Sequence, residues 1–216
     1  MPLNLARDAF SEDDGIALKR RTHRRFSGCP IGGNELLGML SPLRRRLSGK
    51  LRYASAGGLY PVQVYLQVRP ATDDLAAVSN ISPGTYYFQP EEALLYPVAP
   101  YGPIPAAAFG DFNAPVAAAS SVSLFLVSDL EAIAPLYGVD SLRLSLIETG
   151  AMVQLLEEAA ADLDIGLCHV GSFDFESYRQ TLGLGPNQVL MHTLLAGRAV
   201  PTATPAGEAS IVDERL

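Results

Sequence analysis

Three guanidinium groups and a hydroxyl lie within five consecutive residues near the start of the chain. A guanidinium fork matches the geometry of a phosphate bidentately, and a hydroxyl supplies a further donor. This spacing predicts a site for one phosphate group, with a solvated basic turn as the alternative interpretation. The residues are Arg20, Arg21, Thr22 and Arg24.

A second segment, residues 52–61, has very little side-chain bulk. Its stretch Ser55-Ala56-Gly57-Gly58 would let backbone amides approach a flat ligand closely, because glycine has no Cβ and tolerates unusual dihedral angles. An ordinary turn before a strand is the alternative. The β-rich run Val62–Val68 follows at once and predicts that strand.

The charge of the chain is unevenly distributed. Eleven of the sixteen Lys and Arg residues lie in the first 52 positions, which carry a charge near +6, while the remainder carries about −13. An acidic chain with one confined basic part is poorly suited to general nucleic-acid binding and better suited to holding a single anionic group. No apolar run is long enough to span a membrane, and the polar, acidic start does not resemble a signal peptide. We therefore expect a cytoplasmic protein.

Cysteine and histidine are scarce in this sequence. Cys29 and Cys168 are too few for a disulfide framework or a metal cluster, and His23, His169 and His192 lack ligand spacing. No metal site is expected.

Hydrophobic periodicity predicts an α+β protein with one sheet. The helix at residues 141–163, which Asp140 can cap, is apolar nearly all round and is predicted to be buried, with close packing at Gly150. A domain at residues 1–198 is expected to precede a linker-like tail at residues 199–216. The other predicted helices are residues 13–21, 34–47 with a kink at Pro42, 104–109 and 175–182, and the predicted strands are residues 62–68, 85–88, 93–98, 121–128, 165–170 and 189–196.

Several segments together resemble the FMN-dependent nitroreductase superfamily, in particular its peptide-dehydrogenase branch. The resemblance extends over roughly residues 17–198 and implies a central mixed β-sheet flanked by helices, assembled as an intertwined homodimer with two FMN molecules at the interface. Each segment is short, but their common order makes the likeness specific. The segments are residues 20–26, 55–61, 83–88, 148–156, 165–174 and 194–198.

Within that superfamily the chain is most similar to the oxidase domains of nonribosomal peptide synthetases. The resemblance, carried further by residues 50–55 and 133–138, implies oxidation of a thiazoline or oxazoline bound to a carrier protein, giving a thiazole or oxazole. It also implies which residues contact FMN. The implied contacts are Arg20, Arg21, Thr22 and Arg24 with Arg198 at the phosphate, Ser55, Ala56 and Gly57 along the isoalloxazine ring, Val170, Gly171 and Ser172 near its N5 edge, and Gln154 at the ring.

The chain departs from the family pattern at two positions. Related azoline dehydrogenases carry a Lys-Tyr pair ahead of the long helix, whereas this chain has Leu136-Tyr137. Tyr137 is the candidate for proton transfer, with a core tyrosine as the alternative, and a phenol needs a nearby cation for this role. Lys50 is the candidate for that cation, or for the base, with a solvated lysine as the alternative. His169 stands where the family has proline, and its role is left open.

Three other functions fit the same sequence. One is an NAD(P)H-dependent nitroreductase or quinone reductase. Another is a flavin-free module that docks a carrier protein without catalysis. The third is dehydrogenation of an open aminoacyl chain in place of a ring.

Overall fold

The computed structural model describes residues 21–71, 80–98 and 102–200. Within them six strands form one sheet in the order β3-β2-β1-β4-β6-β5. Arg20, nearly all of the predicted helix at residues 13–21 and the tail from residue 201 lie outside the described residues. The strands are β1 Val62–Val68, β2 Gly84–Gln89, β3 Leu94–Pro97, β4 Val122–Asp129, β5 Ile165–Val170 and β6 Gln188–Arg198.

All pairings between these six strands are antiparallel. The prediction of a mixed sheet is therefore wrong for them. Strands β4 and β5 run in the same direction, but β6 lies between them and runs in the opposite direction. In the described part of the chain, parallel pairing occurs at the isolated bridge between Thr22 and Leu167.

Helices cover both faces of the sheet and make it the middle of three layers. On one face, Leu36, Met39 and Leu156 pack against the strands, and on the other Phe109 and Phe175 do so. This arrangement confirms the α+β class. The described α-helices are α1 Gly33–Leu40, α2 Gly110–Ala119, α3 Leu130–Tyr137, α4 Ser141–Ala161 and α5 Phe175–Tyr178.

The helix boundaries differ from the prediction where proline occurs. Helix α1 ends at Leu40 and continues as the 3-10 turn Ser41–Leu43. Pro42 lies in that turn and has no N–H to extend an α-helix, so Leu47 falls outside the helix. Helices α2 and α3 were not predicted, since each contains a proline, Pro115 and Pro135.

Within the described part of the chain, helix α4 is not buried on all of its sides. Leu142, Leu146 and Ile147 are between 47% and 61% exposed. A Cβ at Gly150 would meet no atom within 4 Å. The prediction of close packing at Gly150 is therefore wrong within one chain, and one face of α4 is open. In the described part of the chain, no helix is both long enough and apolar enough to cross a membrane.

Candidate functional site

The basic segment at residues 21–27 runs beside the free edge of β5. Thr22 bridges Leu167, and the His23 amide donates to the Leu167 carbonyl at 2.8 Å. Further on, the Ser27 amide donates to the Arg198 carbonyl at 3.0 Å. Backbone pairing thus holds the predicted phosphate-binding residues against two strands of the sheet.

Two glycines of the sheet make this close approach possible. A Cβ at Gly166 would lie 2.7 Å from the His23 Cβ, and one at Gly197 would lie 2.6 Å from the Phe26 ring. Both contacts are to atoms near the backbone of the basic segment, so a larger residue would displace the segment itself. Gly166 and Gly197 therefore position Thr22 and its neighbours.

Replacing Gly197 with alanine is expected to destabilise the fold by about 1–3 kcal/mol, because overpacking at a close contact forces backbone shifts. The displaced segment should also hold FMN less tightly. Urea unfolding and flavin content after gel filtration measure the two effects. Gly102→Ala is the matched control, since a Cβ there would meet nothing within 4 Å. Equal stability of the two variants would contradict the expectation.

The charges around the basic segment are mixed. Arg21 and His23 line a cavity of about 500 Å³ together with the carboxylates of Glu157, Asp162 and Asp164. Burial and the charge of Arg21 lower the pKa of His23. Arg21 and Arg24 are both exposed, so their guanidinium groups are accessible to an anion arriving from solvent.

Arg24 is also placed close to β5. Burial raises the pKa of the Cys168 thiol, and the positive charge of Arg24 partly opposes that rise. Cys168 lies one residue beyond Leu167, the strand residue that Thr22 bridges. Thr22 therefore lies beside Leu167 of β5, and Arg24 lies close enough to the next residue, Cys168, for its charge to act on the thiol.

The small-residue segment before β1 forms an exposed glycine loop. Its centre is the 3-10 turn Ala56–Gly58, in which Gly57 has φ 61°. Gly58 also has a positive φ, 68°, and such values favour glycine because a Cβ is strained there. The Tyr60 amide donates to the Ser55 hydroxyl oxygen at 2.8 Å. The loop thus presents bare backbone at Gly57 and Gly58 and is held in one shape.

Tyr137, the last residue of α3, lies against this loop. A Cβ at Gly57 would stand 3.1 Å from the Tyr137 hydroxyl and 3.5 Å from its ring. The register of the sheet explains the contact, because Val62 pairs with Ser128. The segment that precedes β1 and the segment that follows β4 therefore leave the same end of the sheet. The structure brings together two site residues that lie 80 positions apart in the sequence.

Glu148 of α4 holds both ends of the glycine loop. Its carboxylate accepts hydrogen bonds from the Val62 amide at 3.3 Å and from the Ser55 hydroxyl. The residue is only 2% exposed. Burial raises the pKa of Glu148 to about 6, and the two hydrogen bonds partly oppose that rise. Glu148 is not among the site residues predicted from the sequence, although an acid inside an apolar helix is a recognisable signal of a buried polar contact.

The third predicted flavin contact, residues 170–172, follows the same strand edge. Val170 is buried among apolar side chains, so it can offer only its backbone to a ligand. Gly171 and Ser172 are exposed just beyond the end of β5. They lie four and five residues from Leu167, roughly 13–17 Å along an extended chain.

The remaining predicted residues lie elsewhere. Lys50 is exposed, and its carbonyl accepts from the Arg46 amide. Gln154 is exposed on α4 and donates to Glu158 at 3.1 Å. Arg198 donates to both carboxylate oxygens of Glu35, at 2.6 and 2.7 Å, and to the Leu163 carbonyl. In this conformation Arg198 joins β6 to α1.

His169 belongs to a chain of three polar side chains. Its Nδ1 lies 2.9 Å from the His192 Nε2, and its Nε2 lies 3.0 Å from a Glu157 carboxylate oxygen. Burial and the neighbouring His169 lower the pKa of His192. His169 therefore lies within hydrogen-bond distance of both the Glu157 carboxylate and the His192 ring. The described residues contain no group of three potential metal ligands.

Comparison with known proteins places this architecture in a recognised family. The profile of the "Nitroreductase family" matches residues 17–198. No curated protein matches the chain.

Several solved structures share the fold at low sequence identity. A Ralstonia eutropha protein assigned as a nitroreductase is 16% identical, with a TM-score of 0.71, and the match covers 93% of this chain and 89% of that one. A chain of the E. coli microcin synthetase McbBCD complex, solved with truncated pro-MccB17 bound, is 18% identical, with a TM-score of 0.74 and coverage of 93% and 75%. A Staphylococcus epidermidis protein assigned as an NAD(P)H:FMN oxidoreductase is 13% identical, with a TM-score of 0.60 and coverage of 96% and 97%. At these identities the likeness establishes the fold alone.

Proposed function

Because the chain belongs to the nitroreductase family, we propose that it is an FMN-dependent oxidase of carrier-bound azolines. The substrate is a thiazoline or oxazoline, and the product is the corresponding thiazole or oxazole. The observation that carries the proposal is the position of the Tyr137 hydroxyl beside Gly57, 3.1 Å from where a Cβ of that residue would stand. It joins a candidate acid–base group to the loop that would cover a flat cofactor.

The residues present fit FMN. The glycine loop offers a surface without side chains at Gly57 and Gly58, both with positive φ. The hydroxyl of Thr22 and the guanidinium of Arg24 are donors suited to a phosphate. Thr22 pairs with β5 at Leu167, and Gly171 follows directly after the end of that strand, so the two ends of an elongated cofactor have separate places.

The residues that would hold FMN are those predicted from the sequence. Arg20, Arg21, Thr22 and Arg24 would bind its phosphate, and the backbone of the glycine loop and of residues 170–172 would enclose its ring. When bound, FMN would supply the two-electron redox chemistry, as the acceptor of the azoline hydride that oxygen then reoxidises with release of hydrogen peroxide.

The chain itself must remove a proton. Aromatisation takes two hydrogens from adjacent ring carbons, one as hydride and one as the Cα proton, which the neighbouring C=N bond and thioester acidify. Tyr137 would take this proton at its hydroxyl oxygen. Lys50, the candidate for an assisting cation, is exposed in the structure and stays a prediction. The Glu148 carboxylate also lies close to the loop, but it accepts hydrogen bonds from the Val62 amide and the Ser55 hydroxyl. We therefore assign Glu148 to positioning the loop and not to removing the proton.

We also propose that the protein is a homodimer. The outer face of α4 exposes Leu142, Leu146 and Ile147, and Leu136 and Val139 extend this apolar surface toward the glycine loop. Exposed apolar surface of this extent is typical of an interface. A second copy covering it would lie beside the proposed flavin site.

An NAD(P)H-dependent reductase is the second candidate. It is favoured by the fold shared with proteins assigned as a nitroreductase and as an NAD(P)H:FMN oxidoreductase. The synthetase complex among the similar structures favours a biosynthetic enzyme instead. The two candidates differ in the molecule that reduces the flavin.

The purified protein is expected to be yellow, or to become so on incubation with FMN. A carrier-bound thiazoline should bleach the flavin anaerobically, and oxygen should restore the colour with one equivalent of peroxide. Bleaching by NADPH with no response to the thiazoline would support the reductase. A protein that takes up no FMN would contradict both the oxidase and the reductase. The flavin-free module that docks a carrier protein would then be the remaining interpretation.

A further inference from the structure

The chain between α1 and the glycine loop forms a tight turn, residues 44–52, which we call the basic turn. The Arg46 amide donates to the Lys50 carbonyl at 2.9 Å, and the Gly49 amide donates to the Arg46 carbonyl at 2.8 Å. Gly49 has φ 78°, a value that glycine adopts without strain. The turn therefore has a defined backbone shape.

Arg45 anchors the basic turn to the β2–β3 hairpin. Its side chain pairs with Glu91 at 2.8 Å and donates to the Gly49 carbonyl at 2.7 Å. Its amide donates to the Pro90 carbonyl at 2.8 Å. The guanidinium also lies 5.4 Å from the centre of the Tyr60 ring in the glycine loop. One side chain thus connects the turn, the hairpin and the loop.

The other cations of the basic turn point to solvent. Arg44, Arg46, Lys50 and Arg52 are all exposed. No salt bridge engages them within the part of the chain that the structure describes. Leu47 is fully exposed at the tip. These four exposed cations around a bare leucine contrast with the rest of the chain after residue 52, whose charge is near −13.

A shallow cavity of about 910 Å³ follows this surface, lined by residues that include Arg44, Arg46, Leu47 and Arg52. Arg45 and Glu91 line both this cavity and a smaller one of about 110 Å³ beneath the glycine loop. The smaller cavity is also lined by Tyr53 and Tyr60. The Arg45–Glu91 pair therefore separates the outer basic surface from the underside of the proposed flavin loop.

We propose that the basic turn is the docking surface for an acidic carrier domain, which presents its tethered azoline to the adjacent loop. This inference rests on the proposed function. Opposite charges steer two surfaces together and fix their orientation, and an exposed leucine supplies the apolar contact at the centre. A nucleic acid needs a more extended basic footprint, whereas a small acidic domain can contact the turn and avoid the acidic remainder.

The test uses Arg44→Gln, Arg46→Gln and Arg52→Gln combined in the full chain. The substrates are a thiazoline on an acidic peptidyl carrier domain and the same thiazoline as a small thioester. We expect kcat/KM for the tethered substrate to fall about tenfold or more, chiefly through KM, and to become less sensitive to salt. Turnover of the small thioester should be unchanged. Asp111→Asn, which removes an exposed charge on α2, is the control and should leave both values intact.

Other results would overturn the proposal. An equal loss on both substrates would assign the turn to the fold or the active site, and an unchanged kcat/KM for the tethered substrate would exclude it as the docking surface. Displacement of the carrier by a short DNA duplex in a fluorescence anisotropy titration would indicate a nucleic-acid surface instead. That titration with a substrate-free carrier does not require turnover. The wild-type protein could therefore bind the carrier while oxidising neither substrate. If the triple variant then failed to bind the carrier, the result would support docking and contradict only the oxidase function.

Discussion

Replacing Tyr137 with phenylalanine is expected to lower kcat for azoline oxidation by about 100-fold or more. A positioned acid–base group contributes roughly 10²–10⁴-fold to a proton transfer. The substitution removes only the hydroxyl oxygen and leaves the ring beside Gly57, so FMN content and Tm should be unchanged. Oxygen uptake, normalised to bound flavin in each preparation, measures the effect.

Tyr96→Phe is the matched control for this experiment. Tyr96 lies on β3, is 45% exposed, and its hydroxyl donates to Glu92 on the protein surface. Its loss should leave kcat unaltered. Wild-type kcat in the Tyr137 variant would remove that hydroxyl from the chemistry and leave Lys50 as the candidate base.

Replacing Glu148 with leucine is expected to destabilise the fold by about 2–5 kcal/mol. The change leaves the buried Val62 amide and the half-buried Ser55 hydroxyl without this acceptor, and a buried unsatisfied group costs about 1–3 kcal/mol. Because those groups lie at the two ends of the glycine loop, FMN affinity should fall as well. Urea unfolding and FMN titration measure the two losses. Glu148→Gln keeps an acceptor and should retain FMN; equal behaviour of the two variants would contradict the role of the carboxylate.

The same residue predicts a pH dependence of stability. The pKa of Glu148 rises from an ordinary 4.5 to about 6 in the fold, so the folded chain holds this proton more tightly than the unfolded chain. Its contribution is greatest below pH 4.5 and is lost as the pH rises to about 6, a difference of about 2 kcal/mol at most. Unfolding at pH 5 and pH 7 should show about 1 kcal/mol of this difference in the wild type relative to Glu148→Gln, because the unfolded chain is already largely deprotonated at pH 5. A parallel response in both proteins would contradict it.

Local patterns in the sequence were sufficient to predict the positions of most strands of the sheet. β1 and β4 are compact β-rich runs, and both form where predicted because burial of such runs is favourable in any central strand. Helix α2 could not be found this way, since Pro115 and its small neighbours resemble a loop. Its position follows from packing of Ala117 in one apolar cluster with Phe175 and Leu195, which lie 58 and 78 positions further along the chain.

The candidate site also has some features that local sequence predicts and others that only the tertiary structure determines. The residue types of the basic segment and of the glycine loop already indicate a phosphate site and a surface for a flat ring, because these capacities belong to the side chains and backbone of short segments. Which residues meet across the site is a property of the folded sheet. Its register, with Val62 opposite Ser128, sets Tyr137 against Gly57. The packing of α4 buries Glu148 beneath the loop and leaves a face of that helix open. Such contacts join residues 80 or more positions apart, and hydrophobic periodicity, which is a local signal, carries no information about them.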